Sequence, residues 1–152
     1  MRLTVYKSNL NSNVVKNSKK VVTVFIFTPE QIDNNKYKSD ASVQFMVESL
    51  KDLAAAIKKK KGKLYFMYET QDKAIGKLLK KNKDVEAVYF NQDWTPYAIN
   101  RDKKIKAVCK KEKVECVSVE DYTLTKMGSV LTGSDTVYKV FTPFFNTAKK
   151  KK

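Results

Sequence analysis

Residues 21–27 (VVTVFIF) form an unbroken run of β-branched and aromatic residues. A strand covered on both faces of a parallel sheet has this pattern. Thr28 and Pro29 end it, and residues 34–39 are a polar loop. Ser39 or Asp40 can cap the helix that follows. In that helix Val43, Met46, Val47, Leu50, Leu53, Ala54 and Ile57 fall at helical spacing, with Glu48, Lys51 and Asp52 on the other face. Lys58 to Lys61 then offset the helix dipole, and Gly62 suits the C′ position. The same alternation repeats along the chain. Residues 64–68 (LYFMY) predict a strand, and Asp72 can cap a short helix containing Ala74, Ile75, Leu78 and Leu79. Residues 85–90 (VEAVYF) predict the next strand, 91–96 a loop, 97–111 a helix and 114–119 a further strand.

Strands alternating with helices predict an α/β fold with an open parallel sheet and helices on both faces. Ligands in such sheets bind beyond the carboxyl ends of the strands. Three segments lie there: residues 28–32, 69–72 and 91–101. The chain changes character near its end. Residues 127–142 (MGSVLTGSDTVYKVFT) lack a helical period and read as an extended excursion turning at 133–135. Lys149 to Lys152 read as a solvated terminus. The organisation expected is an α/β domain over 1–126 and an exit segment over 127–152.

Composition narrows the chemistry. The chain has 152 residues, enough for one domain with a real core. It holds two cysteines, Cys109 and Cys116, and no histidine. That argues against a zinc site and rules out Ser-His-Asp or Cys-His catalysis within these residues. The cysteines read as reduced thiols, buried or half-buried. No Gly-rich phosphate loop occurs among the four glycines. No apolar run reaches the ~20 residues of a membrane helix and no signal peptide is evident, so the expected location is intracellular, cytoplasmic or nuclear. The net charge is +15, from 31 Lys+Arg against 16 Asp+Glu. This charge reads either as solvated helix faces or as a field that attracts polyanions.

Four segments together resemble the DNA photolyase/cryptochrome family. VFIFTPEQI (24–32) is similar to its second strand and following loop, and FMVESLKDL (45–53) to the next helix. YFNQDWTPYAINRD (89–102) is similar to its N-x-D-x-x-P-Y-x-x-x-R-D loop, and LTGSDTVYKVFTPF (131–144) to the segment leaving the α/β domain. The resemblance spans about residues 21–146 in family order. It implies a Rossmann-like sheet of about five strands, the antenna side of a light-dependent DNA-repair lyase. FAD, and DNA contact through the complete protein, belong to a helical half. That half is not among these residues; it is expected as a separate polypeptide partner, as a removed part, or as one never made. No catalytic residue is expected here, and no membrane contact. The alternatives are a cryptochrome-like photoreceptor fragment and a stand-alone basic nucleic-acid-binding α/β module. The family's first strand normally precedes an R-x-D-L-R-x-x-D-N motif. Here MRLT resembles the tail of that motif and Val5-Tyr6 stands where Asp-Asn is expected. The first strand is therefore lost, or replaced by residues 3–6.

The resemblance also implies an antenna site for a folate or a deazaflavin, with Asn91, Gln92, Asp93, Tyr97 and Arg101 as its candidate residues. Asp93 matches an acidic position near the deazaflavin in some members, and otherwise reads as a cap for the helix beginning at Pro96–Tyr97. Arg101 and Asp102 read as forming structural salt bridges with a neighbouring loop or as part of the site. Thr28 replaces a common aspartate, Ser42 an arginine of some deazaflavin binders, and Ala98 lies near a glutamate of folate binders. An altered site is the alternative these departures leave open. Tyr138, Phe141, Phe144 and Phe145 form an aromatic cluster that reads as core or interface packing.

Overall fold

The computed structural model describes residues 2–5 (backbone), 20–33, 35–120 and 123–151. The expectations for Tyr6, Asn34 and Lys152 lie outside them. The strands are β1 (Arg2–Val5), β2 (Val21–Phe27), β3 (Leu64–Tyr68), β4 (Ala87–Asn91) and β5 (Glu115–Val119). The helices are α1 (Pro29–Ile32), α2 (Asp40–Lys59), α3 (Gln71–Lys81), α4 (Pro96–Lys111) and α5 (Phe141–Ala148). The chain divides into two compact units, 1–119 and 120–152.

The first unit is α/β with parallel strands, in the order β3-β2-β1-β4-β5. The residues expected to replace a lost first strand pair on both sides, Leu3 opposite Val22 of β2 and Val88 of β4. The outer ladders set Phe25 opposite Phe66 and Val88 opposite Cys116.

Successive strand residues point to opposite faces. Val24, Ile26, Val88 and Phe90 meet Ile75 and Leu79 of α3 and Ile105 and Cys109 of α4 in one core. On the other face Phe27 and Phe66 meet Val47, Leu50 and Ala54 of α2. Helices therefore cover both faces. The α3/α4 side is the drier one: Val24, Ile75 and Val88 are fully buried, whereas Leu50 is the one buried side chain of α2. Burying each such Ile, Leu or Val contributes about 1.5–3 kcal/mol. Cys109 and Cys116 are free, buried and half-buried respectively. They share a hydrogen bond that, with burial, holds the Cys109 thiol above its ordinary pKa.

Helix ends depart from the sequence expectations in instructive ways. Ser39 caps α2 as expected, in a reciprocal box with Ser42. α3 begins one turn's edge earlier than Asp72, with Thr70 at the N-cap and Asp72 inside the first turn. Gly62 is not C′ of α2. Lys61 takes that place at φ 60°, donating to the Lys58 carbonyl, while Gly62 donates to Ile57. This is the Schellman pattern with lysine where glycine is favoured. Gly62 is still required, because a Cβ there would lie 2.8 Å from the Ile57 Cγ2. α4 ends identically, with Lys113 at φ 57° and Val114 donating to the Cys109 carbonyl.

In the second unit a turn at Thr132–Asp135 matches the sequence reading, the Asp135 amide donating to the Thr132 carbonyl. The expected extended run to residue 142 is cut short, because α5 starts at Phe141. Phe141 stacks on Phe145 at 5.8 Å, the i, i+4 pairing that one turn of a helix brings together.

Replacing Lys61 or Lys113 with glycine removes a left-handed β-carbon, and each change is expected to stabilise the chain by about 0.5–1 kcal/mol. Urea unfolding checks this; an unchanged or lower midpoint for both variants would contradict the assigned helix ends.

Candidate functional site at the carboxyl ends of the strands

A cleft of about 680 Å³ opens at the carboxyl ends of β2 and β4. Parallel pairing dictates this location, since each strand there hands the chain to a loop and a helix N-terminus. β2 and its exit contribute Phe25, Ile26 and Thr28; α1 and the following loop contribute Glu30, Gln31, Asn35 and Tyr37. Gln71 comes from the start of α3, and Phe90, Asn91 and Asp93 from the end of β4 and its loop. Tyr97, Arg101 and Ile105 come from successive turns of α4. The i, i+4 spacing puts these three on one helix face.

Each wall is fixed locally. Thr28 is buried, and its carbonyl accepts from the Gln31 and Ile32 amides, closing the turn of α1. Tyr68 at the end of β3 donates to the Asp33 carboxylate, which raises the Tyr68 pKa. Glu69 accepts from Lys77 at 2.8 Å and from the Thr70 amide, and these contacts lower its pKa. Gln71 donates to the Tyr97 hydroxyl at 3.3 Å, tying α3 to α4 across the cleft.

Asp93 does not cap α4. Its Oδ1 accepts from the Thr95 amide at 3.0 Å, an Asx turn, and Thr95 caps the helix by accepting from Ala98. Thr95, next to Pro96 and not considered in the sequence reading, takes the cap position. Ala98 is consequently turned inward and buried. Of the expected site residues, Asn91, Asp93, Tyr97 and Arg101 are brought together on the cleft. Gln92 is not on its wall; its amide donates to the Val119 carbonyl and extends the β4–β5 ladder. Gln31 and Gln71 fall in the segments 28–32 and 69–72 that the strand ends marked, though neither was named as a site residue; Phe25 and Tyr37 were missed by sequence reasoning. Ser42, at the capping box of α2, is not among the cleft residues.

Arg101 carries the strongest electrostatic feature. Its Nε donates to Asp102 Oδ1 at 2.8 Å, and Nη2 lies 2.6 Å from the same oxygen. Nη2 nevertheless makes no hydrogen bond of acceptable angle and is buried. One carboxylate oxygen serves both donors poorly, so part of the guanidinium's donor capacity is left unused. Leaving such a donor unsatisfied costs about 1–3 kcal/mol, more for a charged group. Asp102 is itself buried, and that burial raises its pKa despite Arg101.

Residues 10–152 match the DNA photolyase family model. The chain belongs to the DNA photolyase family. Among curated proteins it is 30% identical over 109 residues to a deoxyribodipyrimidine photo-lyase of Alkalihalophilus pseudofirmus, covering 71% of this chain and 23% of that protein. It is 38% identical over 60 residues to the Synechococcus deoxyribodipyrimidine photo-lyase, covering 40% of this chain and 12% of that protein. Among solved structures, the Sulfolobus tokodaii archaeal photolyase with two FAD molecules superposes with a TM-score of 0.83 at 32% identity, over 99% of this chain and 35% of that one. The Synechocystis cryptochrome matches in fold, with a TM-score of 0.83 at 16% identity over 99% of this chain and 33% of that one. The chain thus spans about a third or less of each relative. Among the described residues no helix is long and apolar enough to cross a membrane.

Because folding raises the Asp102 pKa, its contribution to stability is fully present while it is protonated and is lost as pH rises through the folded-state midpoint. A carboxyl NMR titration is expected to place that midpoint above the ordinary aspartate value, and Arg101→Gln to raise it further. An Asp102 midpoint at or below the ordinary value would contradict the burial-dominated account.

Proposed function

We propose that this photolyase-family chain is the antenna-side domain of a protein for light-dependent repair of pyrimidine dimers in DNA, and that its cleft binds a planar heteroaromatic chromophore. The observation that carries this reading is Arg101, which lines a cleft of about 680 Å³ with its guanidinium held by Asp102 and its Nη2 buried but not aligned for a hydrogen bond. Small-molecule sites range over about 300–1,000 Å³ and combine apolar walls with a few placed polar groups. Phe25, Ile26 and Phe90 supply the apolar wall; Tyr97, Gln31, Gln71 and Arg101 supply donors.

The group that fits is a flavin, a deazaflavin or a folate: flat, rich in carbonyl acceptors and carrying an anionic tail. A flavin is favoured, because the 32%-identical Sulfolobus photolyase holds two FAD molecules with the implication of a novel light-harvesting cofactor. Such a group absorbs near-ultraviolet and blue light. The chain's own residues bind and orient it: Arg101 donates to its acceptor edge, and the aromatic wall excludes water. Thr28 adds no further carboxylate to the wall, beside Glu30 and Asp93, where an aspartate would repel an anionic tail.

The same reading assigns 1–126 to the α/β domain and 127–152 to an exit segment, with Arg2–Val5 as replacement for the family's first strand in one doubly wound, Rossmann-like sheet. It assigns the catalytic FAD and lesion binding to a helical half outside these residues. This chain alone then gives no dimer repair.

Titrating the purified chain with FAD, a deazaflavin and a folate, read by chromophore fluorescence, tests the site. Saturable binding of FAD is expected, weakened at least about tenfold by Arg101→Gln, since a hydrogen bond to a charged group contributes about 1.5–3 kcal/mol. No saturable binding of any of the three would overturn the assignment.

A further inference from the structure

Parallel strands with returning helices gather three lysine runs of this chain at one end. The helices run back against the strands, so the C-termini of α2, α3 and α4 all lie at the amino ends of the strands, opposite the cleft. The lysine-rich segments are those three ends: 58–63, 80–86 and 110–115. They carry eleven lysines, every one exposed, against four carboxylates: Asp84, Glu86, Glu112 and Glu115. Glu112 is engaged by Lys83 at 3.2 Å. Runs separated by about 20 residues in sequence thereby form one basic end. Strands about 4.8 Å apart make that end roughly 20 Å wide.

Offsetting helix dipoles explains a lysine or two per helix. It does not explain runs of this length, nor the placing of lysine in the left-handed C′ position at both Lys61 and Lys113, where glycine is less strained. Local stability is given up twice, each time for a charge at this end.

We propose that this end of the sheet is a docking surface for the phosphate backbone of nucleic acid. The surface lies at the opposite end of the strands from the chromophore cleft and does not depend on that assignment. A duplex carries one charge per ~1.7 Å, a density that a rigid, 20 Å-wide lysine face matches better than dispersed anions do. The cations are lysines, point charges suited to phosphate, with no arginine in the three segments to read base edges bidentately. Binding is therefore independent of sequence and positions DNA rather than selecting it. A membrane is the less suited partner: none of the large apolar side chains exposed in the structure falls in these segments, so nothing there enters a bilayer.

The test compares two triple variants of equal charge in the full chain. K60E/K81E/K111E reverses one lysine at each helix end, and K36E/K38E/K73E reverses exposed lysines elsewhere. Binding to a fluorescein-labelled 20-base-pair duplex of random sequence is measured by anisotropy across a salt series, with circular dichroism to check folding. A glutamine version of the first variant removes the charges without reversing them. The expected result is at least tenfold weaker binding for K60E/K81E/K111E. The slope of log K against log salt should be shallower by about 2–3, at ~0.9 per phosphate contact. The glutamine version should show the same direction, and K36E/K38E/K73E less than threefold change. Equal losses in both charge-reversed variants would overturn the proposal in favour of net charge alone. Unchanged binding in folded K60E/K81E/K111E, or a loss seen only with phosphatidylserine vesicles and not with DNA, would overturn it too. If K60E/K81E/K111E fails to fold, the glutamine version decides by the same criteria.

Discussion

Parallel pairing is the constraint on which the rest of this molecule depends. A parallel strand cannot return through a hairpin; it needs a crossover, here a helix, before the next strand can be laid down. Every crossover repeats one polarity. Strand carboxyl ends, loops and helix N-termini gather at one end, and helix C-termini gather at the other. The first end holds the cleft between Thr28, Asn91 and the N-terminal turns of α4. The second holds the lysine runs after α2, α3 and α4.

The core stabilises that polarity unevenly. On one face Val24, Val88, Ile75, Leu79 and Ile105 are sealed to 2% exposure or less. On the other, Phe66 remains 48% exposed beside α2. The cleft is floored by residues of the sealed face, Ile26, Phe90 and Ile105, so its polar wall stands on the rigid side of the sheet. Site residues carried by packed elements hold their geometry better than those carried by loops alone. Arg101 illustrates this. It projects from the turn of α4 between the buried Ala98 and Ile105, and its Nε is pinned by Asp102.

Strands and long helices were legible because their signals are dense: the apolar run of β2 and the stripe of α2 each repeat one message over several residues. Ends were less legible, because they turn on single hydrogen bonds between near-equivalent candidates. Asp93 and Thr95 both suit a cap; Lys61 and Gly62 compete for C′, and the close approach of Gly62 to Ile57 settles it. α5 was missed because Pro143 and the β-branched residues around it argue against a helix, while the Phe141–Phe145 stack favours one. Of the residues on the cleft, the loop motif had singled out Asn91, Asp93, Tyr97 and Arg101. It could not reveal Phe25, Tyr37 or Gln71, which arrive from other elements through tertiary folding. The spare donor of Arg101 depends on an angle that no sequence encodes explicitly.

Amide and methyl chemical-shift mapping of the isotope-labelled chain, titrated with FAD and separately with a short DNA duplex, tests the two-ended account most directly. The account requires FAD to perturb Asn91, Asp93, Tyr97 and Arg101, and DNA to perturb 58–63, 80–83 and 110–113, each ligand binding in the presence of the other. Perturbations by both ligands on the same end, or competition between them, would contradict it.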